Sequence, residues 1–269
     1  MTTPPARKRR RAPAKAQTRS APPTEERRLS RGQQRLLVAV ASVAGVLAAA
    51  VVLAFVIDSM GNDFSPERAT AAAISTQPRP DAYKGWVSPK LFAPIAQSKA
   101  DTAPLTLKDV FAEKVLKEGR TTLRLAATKL DTDCSAAVWG QGLAGRLTEA
   151  GCTQAVRGLY TSADGRHVAQ YTLLNLRDAA AADGLVQSLT TMHRGGWPHP
   201  LESARVRFPA GGYTEASGHA MGHYVGLVWI GRADGAEPGA KDDFISLSLA
   251  VRGAEKAVFR RVVAAAPAP

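Results

Sequence analysis

AVRGLYTSADGRHVAQYTLLNL, residues 155–176, reads as two strands joined at Ala163-Asp164-Gly165, a turn in which glycine accepts positive φ. Upstream, TTLRLAATKL (121–130) has strand composition, and Trp139, Leu143, Leu147 and Ala150 are spaced to line one helix face between Cys134 and Gly151. Thr106 and Asp109, three apart, can cap an earlier helix carrying Val110, Phe111, Val115 and Leu116, with Gly119 as its stop.

Downstream, Asp178 can cap a helix whose Ala182, Leu185, Val186, Leu189 and His193 share a face, ended by Gly195 and Gly196. HYVGLVWIGR (223–232) is apolar on both faces, as a central strand must be. After the turn-rich ADGAEPGAKDD (233–243), Ile245, Leu247, Leu249 and Val251 alternate with small residues, a half-buried strand pattern. Val258, Phe259, Val262 and Val263 close the chain as a short amphipathic helix.

Strand, helix, strand, strand, helix, strand is the split-βαβ order of ferredoxin-like folds. The expectation is one extracytoplasmic α+β domain over residues 105–269, ferredoxin-like with an extra hairpin strand and a C-terminal helix. A mixed sheet with another strand order is the alternative.

The remaining chain sets an expected location. RKRRRAPAKAQTR (7–19) carries only positive charge, and residues 1–35 hold +9 of the chain's net +12. LLVAVASVAGVLAAAVVLAFVI (36–57) has Ser42 as its one polar side chain and, as a helix of roughly 33 Å, is long enough to cross a hydrocarbon layer about 30 Å thick. These features read as a disordered basic cytoplasmic tail (1–35), an uncleaved signal-anchor transmembrane helix (36–57), a Pro-rich linker (58–104) and an outer domain, in the cell membrane with the N-terminus inside. Membrane lipid is then the partner of the helix and tail. Nucleic acid is excluded as a partner, because no aromatic residue in the tail could stack on bases. Trp86, Phe92 and Ile95 interrupt the linker as an arm able to pack onto the domain.

Cys134 and Cys152 are the two cysteines. An exported chain favours a disulfide between them. A continuous helix would hold them roughly 20–25 Å apart, whereas bridged Cα atoms lie within about 7 Å. Gly140, Gly142 and Gly145 each weaken the helix, and a shorter one from about Leu143 would let the bridge form; two small buried thiols are the alternative.

Four of five histidines, His193, His199, His219 and His223, fall close together, beside methionines and the aromatics Trp197 and Tyr213. Imidazole with thioether suits copper, but no HExxH pattern occurs, and on a strand His219 and His223 would stand about 13 Å apart. No metal site and no cofactor is assigned. GxSxG, SxxK and phosphate-loop patterns are absent, so no catalytic residue is assigned either. The acidic Asp131-Thr132-Asp133 matches the pair of nucleotide-sugar transferases over three residues only and reads as a turn.

DCSAAVWGQGLAGRLTEAGC (133–152), with the hairpin and Ala-rich helix after it, resembles single-pass, membrane-anchored extracytoplasmic proteins of high-GC Gram-positive bacteria, to which no activity is attached. The resemblance implies compartment and architecture. Two functions follow as expectations: a binding or scaffolding domain that meets an envelope protein or polymer, with His193, Trp197, His199, Tyr213, His219 and His223 as its contact surface, or a hydrolase with a site near residues 193–224.

Overall fold

The computed structural model describes residues 77–204 and 206–265. In chain order the strands are β1 (Ala82–Trp86), β2 (Val115–Glu118), β3 (Thr121–Asp131), β4 (Val138–Trp139), β5 (Gln154–Ser162), β6 (His167–Asn175), β7 (Trp197–Pro198), β8 (Thr214–Met221) and β9 (Tyr224–Arg232). The helices are α1 (Leu107–Val110), α2 (Gln141–Glu149), α3 (Ala179–Met192), α4 (Phe244–Val251) and α5 (Lys256–Ala265). Seven strands pair in the order β1-β8-β9-β6-β5-β3-β2, and β4 and β7 form a separate ribbon.

The hairpin stands where the sequence places it, with β5 and β6 antiparallel and Gly165 at φ 72° in the turn. The run 223–232 forms the interior strand β9, between β6 and β8. Tyr224, Val228 and Ile230 enter one core and Val225, Leu227 and Trp229 the other. With apolar side chains on both faces, the sheet must be covered twice. Helices α2 and α3 contribute Leu143, Leu147, Leu185 and Leu189 to one layer, and α4 and α5 contribute Phe244, Leu247, Val258 and Val262 to the other.

The ferredoxin-like expectation is overturned by strand order. A split βαβ unit requires parallel strands linked by a helical crossover. Here the chain leaves β3, passes through α2 and returns antiparallel beside it as β5, and β6 leads through α3 to the β8–β9 hairpin. Among the described residues the single parallel pair is β1 with β8. Strand β1 comes from the stretch read as a linker, and Phe92 and Ile95 behind it are buried.

The alternating run 245–251 is likewise corrected, because it is helix α4. Asp243 caps it, its carboxylate accepting from the Ser246 amide (2.9 Å) and the Ser246 hydroxyl (2.7 Å). Phe244, Leu247, Ala250 and Val251 are buried at helical spacing, while Ile245 and Leu249 point outward. The capped turn at Thr106 forms as expected, but it ends at Val110, and Val115 and Leu116 belong to β2.

The single-pass membrane assignment is not supported. The transmembrane helix (36–57) and tail (1–35) lie outside the described residues. Among the described residues no helix is long and apolar enough to cross a membrane. The 14 residues of α3 rise about 21 Å against the roughly 30 Å of a bilayer core. The transmembrane reading, the signal-anchor and the cell-membrane localisation therefore gain no support from the described residues.

Cys134 and Cys152 form a disulfide with Cα atoms 6.1 Å apart. The chain turns at Gly140, φ 88°, where a Cβ would run into the Gly195 carbonyl, and the nine residues of α2 run back toward Cys134. The helix is shorter than the cysteine spacing, so bridge and helix coexist. Replacing both cysteines by alanine should lower unfolding free energy by about 3 kcal/mol, as expected for a loop of this size, read as a lower urea midpoint; an unchanged midpoint would contradict it.

Candidate functional site

A chamber of about 730 Å³ opens between the β1 edge of the sheet and the helices α4 and α5. Its floor comes from the faces of β1, β8 and β9 that carry Lys84, Trp86, Ser217, His219, Val228 and Ile230. Parallel register sets Trp86 beside His219 and Lys84 beside Ser217. The rings of Trp86 and His219 stack at 4.8 Å between centroids, 5° from coplanar. The far wall is the outward side of α4, Ile245, Ser248 and Leu249, followed by Arg252, Glu255 and Phe259. Val87, Leu91 and Phe92 close the third side.

Exposed apolar surface is concentrated here. Among the described residues eight large apolar side chains are exposed, and six of them, Trp86, Val87, Leu91, Ile245, Leu249 and Phe259, line this chamber. Ile245 is 77% exposed and Trp86 49%. Scattered apolar side chains need no explanation, but a contiguous set lining a concavity marks a contact site.

Polar groups within it are few. The Ser217 hydroxyl and His219 Nε2 are hydrogen-bonded at 3.1 Å, and among the described residues Nδ1 of the same ring has no partner. Burial, then the nearby Arg252 charge, holds the His219 imidazole down to about 4, so it is neutral at physiological pH. Arg252 donates Nε and Nη2 to the two Glu255 oxygens at 2.9 and 3.0 Å. Burial pushes the Glu255 carboxyl up, opposed by this bidentate pairing. On the rim, Glu215 accepts from the Tyr213 hydroxyl at 2.9 Å.

The α4 wall is anchored by Asp242, whose side chain is 2% exposed. One oxygen pairs with His167 Nε2 and the other accepts from Arg232 Nη1, both at 2.8 Å, tying β6 and β9 to the loop that launches α4. The Gly239 amide bonds the same carboxylate, and these contacts hold its pKa well below the usual range.

Of the residues expected to form one contact surface, His219 alone lines the chamber. His193 and Trp197 lie toward the opposite layer against Tyr83, each ring 5.8 Å from it, and His193 Nδ1 donates to the Leu189 carbonyl. Trp197 is fully buried. His199 offers its carbonyl to Arg157 and Gln170, and burial lowers its imidazole pKa. His223 is buried at the β8–β9 turn, its Nδ1 donating to the Ile95 carbonyl, and Tyr213 touches the rim through Glu215. Among the described residues no group of three or more His, Cys, Asp or Glu is placed to hold a metal ion. Asp131 pairs with Arg157 and Lys129, and Asp133 bonds Ser135, a structural turn.

Sequence reading did not assign Lys84, Ile245, Ser248, Leu249, Arg252 and Glu255 to a site. One signal was present: Ile245 and Leu249 fall off the buried helical stripe once Asp243 is recognised as a cap. No protein-family model, curated protein or solved structure matches this chain.

Asp242→Asn should reduce stability at neutral pH. Because the folded carboxyl pKa is depressed, its contribution is complete above the ordinary carboxylate range, about pH 4, and fades as pH falls through the folded value. The gap in thermal midpoint between wild type and variant should therefore narrow between pH 5 and acid, and a gap constant with pH would refute this role.

Proposed function

We propose that the domain is a binding module that takes a small, largely apolar ligand into the chamber between β1, β8 and α4. The observation carrying this reading is that six of the eight exposed large apolar side chains among the described residues line one concavity. Its volume falls in the range of about 300–1,000 Å³ for small-molecule sites. Leaving such side chains in water is unfavourable, and fully covering Ile245 or Leu249 is worth about 1.5–3 kcal/mol each. The neutral His219 and the internally paired Arg252 and Glu255 add hydrogen-bonding points without a large net field.

A hydrolase is the second reading, because Ser217 and His219 share a hydrogen bond inside the chamber. A serine nucleophile needs a base that accepts its proton and a third group that orients that base. An imidazole held down to about 4 is a weak base, and its Nδ1 meets no carboxylate among the described residues. The binding reading is therefore preferred.

The uncharged dye N-phenyl-1-naphthylamine should fluoresce on mixing with the protein. Ser248→Trp, which fills the chamber, should abolish the signal while circular dichroism stays native. Val115→Ser and Val263→Ser remove the two large exposed apolar side chains that lie outside the chamber among the described residues and should leave it unchanged. Ser217→Ala should retain dye binding, and wild type should not hydrolyse p-nitrophenyl acyl esters. Ester turnover lost in Ser217→Ala would favour the hydrolase, and dye binding unaffected by Ser248→Trp would sink the chamber reading.

A further inference from the structure

We propose that the chamber's ligand is a single-chain amphiphile with a carboxylate head, the head held by Lys84 and Arg252 beside His219 and the tail lying along Val228, Ile230, Phe244 and Leu249. This rests on the chamber being a ligand site and adds what the ligand is.

Unused hydrogen-bonding capacity around the chamber is mostly of one kind. Lys84 lines it from β1 with no ion-pair or hydrogen-bond partner among the described residues, leaving three N–H donors. Arg252 commits Nε and Nη2 to Glu255, so its Nη1 keeps two free donors. The carboxylates are largely occupied: both Glu255 oxygens are held by Arg252, and Glu215 Oε1 receives the Tyr213 hydroxyl, leaving Oε2 of Glu215. Ser217 is engaged with His219.

A head matching two cationic donors must be rich in acceptors, and a carboxylate offers acceptors only. An alcohol would leave charged donors unmatched, and an ammonium head would face two like charges. Hydrogen bonds to charged groups are the stronger class. Lys84 lies on the edge strand beside Ser217, the hydrogen-bond partner of His219, and Arg252, the first residue after α4, lies near the His219 ring, so both cations border the His219 end of the chamber. The volume suits one hydrocarbon chain of a drug-sized molecule.

The test is displacement of bound N-phenyl-1-naphthylamine by dodecanoate, dodecanol and dodecyltrimethylammonium, each below its micelle-forming concentration. Dodecanoate should displace the dye at about tenfold lower concentration than either, a conservative return for one charge-assisted hydrogen bond. Lys84→Glu should remove that advantage while the dye itself still binds. Equal displacement by dodecanol, or an unchanged advantage in Lys84→Glu, would overturn the carboxylate assignment while the chamber reading stands. Dye that never binds wild type would end both. Sedimentation with phosphatidylcholine vesicles without displacement by monomeric dodecanoate would overturn the proposal in favour of a lipid surface.

Discussion

Strand β9 buries side chains on both faces, and the rest of the fold answers that constraint. Val225, Leu227 and Trp229 face one layer, Tyr224, Val228 and Ile230 the other. A sheet whose middle is apolar on both sides cannot rest against water on either. One cover is supplied by α2 and α3, pinned by the Cys134–Cys152 bridge that joins the segments flanking α2 and by the Asp178 cap of α3. The other is supplied by α4 and α5, with the arm carrying Phe92 and Ile95.

The second cover is incomplete where the chamber lies. Toward β5 and β6 the C-terminal helices close on Tyr160, Tyr171 and Leu173, which are fully buried. Toward β1, at the sheet edge, α4 turns Ile245 and Leu249 away from that packing. A fold that holds α4 through Asp242, by an ion pair to Arg232 and a hydrogen bond to His167, yet leaves part of α4's apolar surface uncovered, has separated the support of the wall from the wall itself. The polar atoms that stabilise the helix start point at β6 and β9, and the side chains facing the chamber are free to contact something else.

Electrostatics inside the chamber follow from the same arrangement. His219 is driven neutral because its ring is covered by the Trp86 ring and lies near Arg252. Arg252 in turn is balanced by Glu255, which only a guanidinium's two parallel donors could hold so deeply buried. Lys84, exposed on an edge strand, has no such partner among the described residues. The chamber thus holds one cation balanced by a buried carboxylate and one without such a partner among the described residues.

Local chemistry in the chain determined a good deal by itself. Gly165 made the hairpin, Asp178 and Thr106 made their caps, and the two-faced run 223–232 made an interior strand, because each depends on neighbours within a few residues. Strand order could not be read this way, since a helix-linked pair of strands has the same pattern whether the second strand returns parallel or antiparallel. Nor could α4: in a helix that is apolar almost throughout, any second residue is apolar, so Ile245, Leu247, Leu249 and Val251 imitate a strand until the Asp243 cap and the sheet beneath decide the period. The histidines looked like one cluster because they are near in sequence, but alternation along β8 and the crossing of α3 send His219 and His193 to opposite layers. Tertiary structure alone assembled the chamber, joining an edge strand near residue 85 to a helix near residue 248, because only packing brings together side chains so far apart in the chain.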